Sequence, residues 1–215
     1  MRSGKQGLVS VVLLIIGSFS LGAGEVMAIE ESSYTVVEQV DSFELRMYEP
    51  SIVAETLVEG DFSEVGSEGF RRLAGYIFGK NRKQQDIDMT APVSQESASE
   101  KIAMTAPVSQ ETVDGKWRIT FTMPAEYSME TLPMPLDDRV ILKQEPGRLM
   151  AAIRYSGTWS RDRYQGKEAS LRSFIGEHGL KIVGEPVFAR YNAPYTLWFL
   201  RRNEVLIPVE RLQDL

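Results

Sequence analysis

The stretch Ile52–Ser63, IVAETLVEGDFS, returns at Leu149–Ser160 as LMAAIRYSGTWS, at a constant offset of 97 residues. Each copy is an apolar run closed by a glycine, an aromatic residue and a serine. Glu49-Pro50 precedes the first and Glu145-Pro146 the second, which carries one extra residue, Gly147. A helical pattern follows each. Phe70, Leu73, Ala74, Ile77 and Phe78 keep the i, i+3, i+4, i+7, i+8 spacing of an apolar stripe, and Leu171, Phe174, Ile175 and His178 keep it in the second half. The shared order is strands, a Gly-aromatic corner, an amphipathic helix and further strands. In the first half the later strands fall at Ile87–Gln95, Ile102–Gln110 and Trp117–Met123, and in the second at Pro186–Arg190 and Thr196–Val209. The last is long and contains Pro208, so a bend or interruption is expected. Pro124–Asp138, rich in proline and methionine, joins the halves. The expected fold is α+β: a distorted antiparallel β-barrel from two pseudo-symmetric repeats, about 34–123 and 139–209, each carrying one amphipathic helix. A cleft between the halves would be a natural ligand pocket.

A second repetition lies inside the first half. Met-Thr-Ala-Pro-Val-Ser-Gln-Glu occurs at Met89–Glu96 and again at Met104–Glu111. Apolar residues alternate with polar ones in both copies, the period of a half-buried strand. Ser97–Glu100 suits a turn, so the two copies are expected to pair as an antiparallel hairpin. Pro92 and Pro107 place each copy at an edge or a bulge.

The first 28 residues read as an export signal. Arg2 and Lys5 precede an apolar run from Leu8 to Leu21, and Val26-Met27-Ala28 suits a cleavage site. The mature domain would then be 29–215, periplasmic or secreted, with an uncleaved N-terminal anchor as the alternative. The run is shorter than the ~20 apolar residues of a spanning helix, so no stable membrane insertion is expected after cleavage. The 215-residue chain has 24 basic and 30 acidic residues, a formal charge of −6. That balance argues against broad nucleic-acid binding and against adhesion to anionic lipid.

Chemistry is bounded by scarcity. There is no cysteine and one histidine, His178, which excludes thiolate nucleophiles, zinc clusters and two-histidine metal centres. No Gly-x-Ser-x-Gly elbow and no glycine-rich phosphate loop occurs. His178 precedes Gly179 at the end of the second helix, where a cation and a glycine suit a helix C-terminus. Arg161, Asp162, Arg163 and the Glu168/Arg172 pair suit a solvated helix face.

The chain resembles the SOUL, or haem-binding protein, family. The resemblance rests on Gly79-x-Asn81, on Ile87-x-Met89-Thr90-x-Pro92-Val93, on Tyr191-x-x-Pro194 and on Arg201-Arg202-Asn203-Glu204-Val205, and it runs from about Tyr34 to Val209. It implies non-covalent binding of haem or another tetrapyrrole in an apolar groove beside the first helix, bordered by the loop before the last strand. On this chain the lining would be Phe70, Ala74 and Phe78 with Tyr195 and Trp198. Arg71, Arg72, Arg201 or Arg202 would meet propionates. Ser67 and Gly75 stand where related proteins carry basic residues. The implied role is carrier or scavenger rather than catalyst. The duplicated architecture is also similar to small-molecule-sensing domains, some of them hydrolases that use a tyrosine and a glutamate in the inter-half cleft. Tyr76, Tyr155 and Glu204 would be the candidates, and a general base would need a raised pKa.

Overall fold

The computed structural model describes residues 29–84 and 99–212. The export signal and the first octapeptide, with its expected strand and hairpin, lie outside the described residues. In chain order, β1 (Glu30–Glu31), β2 (Tyr34–Val40), β3 (Phe43–Tyr48) and β4 (Ser51–Val58) precede helix α1 (Phe62–Ile77). Then follow β5 (Asn81–Arg82), β6 (Thr105–Ala106), β7 (Val108–Val113), β8 (Lys116–Thr122), β9 (Met134–Pro135), β10 (Ile141–Glu145) and β11 (Arg148–Tyr155). Helix α2 (Arg161–Glu177), β12 (Leu180–Ile182), β13 (Val187–Arg190), a 3-10 turn at Trp198–Leu200 and β14 (Asn203–Arg211) complete the described chain.

Ten strands form one antiparallel sheet in the order β10-β4-β8-β7-β13-β14-β11-β3-β2, with β12 added to β14. The central β7·β13 pair separates a β8-β4-β10 wing from a β14-β11-β3 wing. Each half lends a strand to the other: β3 pairs with β11 and β10 with β4. Ser51 faces Glu145 as Arg148 faces Tyr48, and Ile52 faces Gln144 as Leu149 faces Met47. These registers interconvert by the same offset of 97 read from the sequence. The sheet remains open. Among the described residues no ladder joins β10 to β2, so the expected barrel is met as a large sheet without closure. The free edge at β2 carries a register shift between Val36 and Glu38, a bulge of the kind that blunts exposed edges.

Both corners turn through glycine. Gly60 has φ +137° and Gly157 +126°, which side chains on Cβ disfavour. A Cβ at Gly157 would also lie 2.6 Å from Nη1 of Arg163. Each corner delivers its helix to one face of the sheet. Val65, Leu73, Tyr76 and Ile77 of α1 pack on Ala54, Ile119 and Phe121. Leu171, Phe174 and Ile175 of α2 pack on Leu45, Ile153, Val205 and Ile207. At the seam Phe62 meets the rings of Trp117, Tyr164 and Phe188 at 5.4, 5.5 and 5.6 Å. Phe78 departs from the expected stripe: α1 ends at Ile77, Phe78 is its C-cap, and the ring is exposed. His178 caps α2, its backbone N–H donating to Phe174 O at 3.1 Å and Nδ1 lying 2.8 Å from the same oxygen.

The expected Thr196–Val209 strand is interrupted, as the 3-10 turn and Arg201-Arg202 precede β14. Pro208 O accepts from Val183 N at 3.0 Å. In an antiparallel strand a residue's nitrogen points the same way as its carbonyl, so the missing N–H of Pro208 faces the gap where β14 passes from β13 to β12. On the helix-free face Arg46 reaches Glu204 through Nη1 at 2.5 Å and Nη2 at 3.2 Å, both side chains almost completely buried. Arg202 Nε and Tyr191 Oη donate to the same carboxylate at 2.9 and 3.0 Å.

Two outcomes follow from these contacts. Gly157→Ala should destabilise by about 1–3 kcal/mol, read as a lower midpoint in urea, because the positive-φ corner opposes a Cβ. Burial works to raise the Glu204 pKa, but Arg46 and then Arg202 outweigh it and hold the carboxyl below its ordinary value. Stability from a depressed carboxylate is complete above its unfolded pKa and lost as pH falls through the folded one. Glu204→Gln should therefore cost about 3–5 kcal/mol at neutral pH, as for any broken buried pair. Its deficit should shrink on acidification, checked by denaturation at several pH values.

Candidate functional site

Strand alternation divides the candidate residues between two faces. Tyr155 pairs with Asn203 and Arg154 with Glu204, and neighbours along a strand point to opposite faces. Tyr155 therefore looks toward the helices while Glu204 looks away from them. Tyr76 lies on α1, its hydroxyl donating to Pro133 O at 2.8 Å. The three residues considered for a hydrolytic centre thus do not converge. Glu204, held ionised by two arginines, lacks the raised pKa that a general base needs.

The helix-free face holds a cavity of about 640 Å³ near β4, β8, β10 and β11. Its apolar lining includes Ile52, Met123, Met150 and Leu206, and its charges include Glu111, Arg118, Glu145 and Arg148. Arg118 draws in three carboxylates, with Nε 2.9 Å from Glu55, Nη1 3.1 Å from Glu111 and Nη2 bound to Glu145. Burial pushes the Glu111 carboxyl up, with Glu145 and Glu55 adding to it against Arg118 and Arg148. This cluster was not singled out from sequence. The available signal was that Glu111 and Arg118 are opposed in the β7–β8 hairpin.

The helix-bearing face holds the groove residues implied by the resemblance. Phe70 is half-buried, its ring 5.5 Å from Phe121, and Ala74 is buried beneath the same helix. Arg71 is exposed and tied to Glu68, while Arg72 bonds Glu68 at 2.9 Å and Leu57 O at 3.0 Å. Gly75 is overlaid by Lys80, whose Cδ lies 3.2 Å from where a Cβ would stand. That brings one cation back to a place where the helix has none of its own. On the loop before β14, Tyr195 is 90% exposed, and Leu197, Trp198, Phe199 and Leu200 are all more than half exposed. Five such side chains within six positions form an apolar patch of the kind that marks a binding surface.

The loop is held in shape from within. Arg201 donates to Thr196 O at 2.7 Å and to Pro194 O at 2.6 Å, and its guanidinium lies 4.3 Å over the Trp159 ring. Arg202 is committed elsewhere, to Glu31 at 2.8 Å and Glu204 at 2.9 Å. Of the four arginines considered for propionates, Arg201 alone has no carboxylate partner among the described residues. No hydrogen bond, ion pair or ring contact joins Phe70, Ala74 or Phe78 directly to Tyr195, Trp198 or Arg201 among those residues. What lies between α1 and the loop is Arg190 of β13. A Cβ at Gly66 of α1 would lie 2.6 Å from Arg190 Nη1, and the Arg190 guanidinium lies 5.1 Å from the Trp159 ring that Arg201 also covers. Sequence reading passed over Arg190, although period-two alternation puts it on the buried face beside Phe188.

A family model described as SOUL heme-binding protein matches residues 29–208. Heme-binding protein 2 of Homo sapiens is 31% identical over 176 residues, covering 77% of this chain and 81% of the relative. Its Mus musculus counterpart is 29% identical over 196 residues, covering 84% and 90%. Among solved structures, the C-terminal domain of EcmrR aligns with a TM-score of 0.52 at 12% identity, over 83% of this chain and 99% of that one. A hydrolase from Listeria innocua aligns at 0.51 and 11% identity, over 81% and 94%. These distant structures share the fold. The sequence match to the family spans the sheet, both helices and the loop before β14, and the chain belongs to the SOUL heme-binding protein family.

Proposed function

We propose that this protein binds haem or a related tetrapyrrole non-covalently on its helix-bearing face, as an exported carrier or scavenger built by internal duplication of a strand–helix unit. The observation that carries the reading is membership of a heme-binding family, combined with an exposed apolar turn in the loop from which that family's groove is built. Tyr195, Leu197, Trp198, Phe199 and Leu200 offer apolar and aromatic surface to a flat macrocycle, with Phe70, Ala74 and Phe78 of α1 as the opposite wall and Arg71 and Arg201 at the margins. Burying a large apolar side chain contributes about 1.5–3 kcal/mol, so several contacts with the macrocycle supply micromolar affinity without a bond to iron. The iron would contribute its redox and axial-ligand chemistry when bound. This chain's own residues supply shape, exclusion of water and charge.

His178 fits poorly as an axial ligand. It caps the C-terminus of α2, at the far end of that helix from the Trp159 corner. The export reading rests on the sequence of the first 28 residues. Among the described residues no helix is long and apolar enough to cross a membrane.

Titrating hemin into protein spanning 29–215 should give a saturable Soret shift, and a linear, non-saturating signal would remove the tetrapyrrole reading. In the same assay Trp198→Ala with Phe199→Ser should weaken binding by about tenfold or more, the loss of two large apolar contacts. His178→Ala should leave the spectrum unchanged. Loss of the bound-haem spectrum in a folded His178→Ala protein would place the iron at α2 instead.

A further inference from the structure

Arg46 and Arg118, enclosed on the helix-free face, are neutralised by carboxylates, whereas among the described residues Arg190 near the apolar turn is not. Arg46 has Glu44 and Glu204, and Arg118 has three glutamates. Arg190 is largely enclosed and has no carboxylate ion pair among the described residues. Its guanidinium lies 4.9 Å from the Phe188 ring and 5.1 Å from the Trp159 ring. Nη2 donates to Gln110 Oε1 at 3.1 Å, and Nε is buried with no hydrogen-bond partner among the described residues. A second orphan accompanies it. Tyr155 is 8% exposed and its hydroxyl is also without a hydrogen-bond partner among those residues.

These groups occupy one place. Arg190 and Arg163 both act electrostatically on Tyr155, and Arg163 in turn donates to Ser156 O at 3.2 Å. Arg190 and Arg201 share the Trp159 ring. Both helices begin here, α1 at Phe62 and α2 at Arg161, so both present the positive ends of their dipoles. The acidic residues of these first turns and caps are Asp61, Glu64 and Asp162, and none of them is ion-paired with Arg163, Arg190 or Arg201. Gly66 leaves the room that brings α1 against the guanidinium. In an acidic protein this is a concentration of uncompensated positive charge with an orphaned phenol, lying beside the Trp198–Leu200 turn.

We propose that Arg190, Tyr155 and Arg201 form a carboxylate-binding site that receives the acid edge of the tetrapyrrole, with its apolar edge under the Trp198–Leu200 turn. The inference rests on the tetrapyrrole reading and fixes which way round the ligand lies. A guanidinium fork matches a carboxylate in two parallel bonds, and a phenol adds a third donor. A propionate arriving here neutralises a cation that the fold leaves unpaired and satisfies both orphaned donors. Burial lowers the Arg190 pKa to about 10, in line with a cation lacking its counter-ion.

The test compares iron-free protoporphyrin IX with its dimethyl ester, so that axial ligation cannot contribute, by fluorescence titration of the 29–215 protein. The diacid should bind about tenfold or more tightly than the diester, the worth of one charge-assisted hydrogen bond. Arg190→Gln and Tyr155→Phe should bring that ratio toward one while the diester affinity, which also reports folding, stays at the wild-type value. Arg190→Lys, which keeps charge but loses the fork, should fall between. Equal affinities for diacid and diester in the wild type, or a ratio unchanged in both Arg190→Gln and Tyr155→Phe, would overturn this site and leave tetrapyrrole binding standing. Failure of both porphyrins to bind the wild type would overturn the tetrapyrrole reading itself. Should Arg190→Gln also lose the diester, Tyr155→Phe, which keeps the ring and its packing, decides the question.

Discussion

The reciprocal pairing of β3 with β11 and of β10 with β4 is the constraint on which the rest of the structure depends. Neither half can complete its sheet alone, because the strand preceding each corner glycine finds a neighbour in the other half. Two otherwise local units are thereby locked into one ten-stranded sheet. The Arg46–Glu204 pair lies within this arrangement, connecting β3 to β14 across β11 on the face the helices do not cover. A buried ion pair of this kind contributes little to net stability relative to an apolar replacement, but removing one partner is costly.

The helices divide the sheet into two chemically different faces. One is covered by α1 and α2 and is apolar, except at the seam where both helices begin. The other carries the 640 Å³ cavity and the ion clusters around Arg118 and Glu204. Charge is treated differently on the two. On the cavity face carboxylates surround arginines, whereas at the helix seam Arg190 is enclosed by rings and amides. This asymmetry, with the apolar loop turn nearby, favours the helix face for the ligand even though the 640 Å³ cavity lies on the other face.

Much of the architecture could be read from residue order. The offset of 97 located both strand–glycine–helix units, and β4 and β11 occupy corresponding spans under it. The α2 stripe of Leu171, Phe174 and Ile175 is buried as the spacing required. Phe78 was misassigned to the buried face because periodicity does not register where a helix stops; one residue past the last helical turn, the ring swings outward. The break before β14 was legible through excess length, whereas Pro208 lies inside the continuous strand rather than at the break, and the exposed 3-10 turn was not legible. Its composition, Leu-Trp-Phe-Leu bounded by Thr196 and Arg201, is indistinguishable from a buried strand. The site was legible by type and not by geometry. Tyr195, Trp198 and Arg201 fall together on the loop, whereas Arg190 looks in sequence like an ordinary strand-end residue and Tyr155 stood out only as a candidate for a hydrolytic cleft.

By itself the sequence determined the composition of the two units, the corners that need glycine, the helix faces that must be buried, and the absence of any cysteine or paired-histidine chemistry. These are local properties, set by backbone sterics and side-chain period. Tertiary structure alone decided that the halves exchange strands, that the sheet stays open, that Glu204 is clamped and ionised, and that Arg190 has no counter-ion among the described residues. Each of these depends on which residues from distant segments come within a few ångströms of one another, and Coulomb and hydrogen-bond energies in a buried setting follow that proximity rather than residue type.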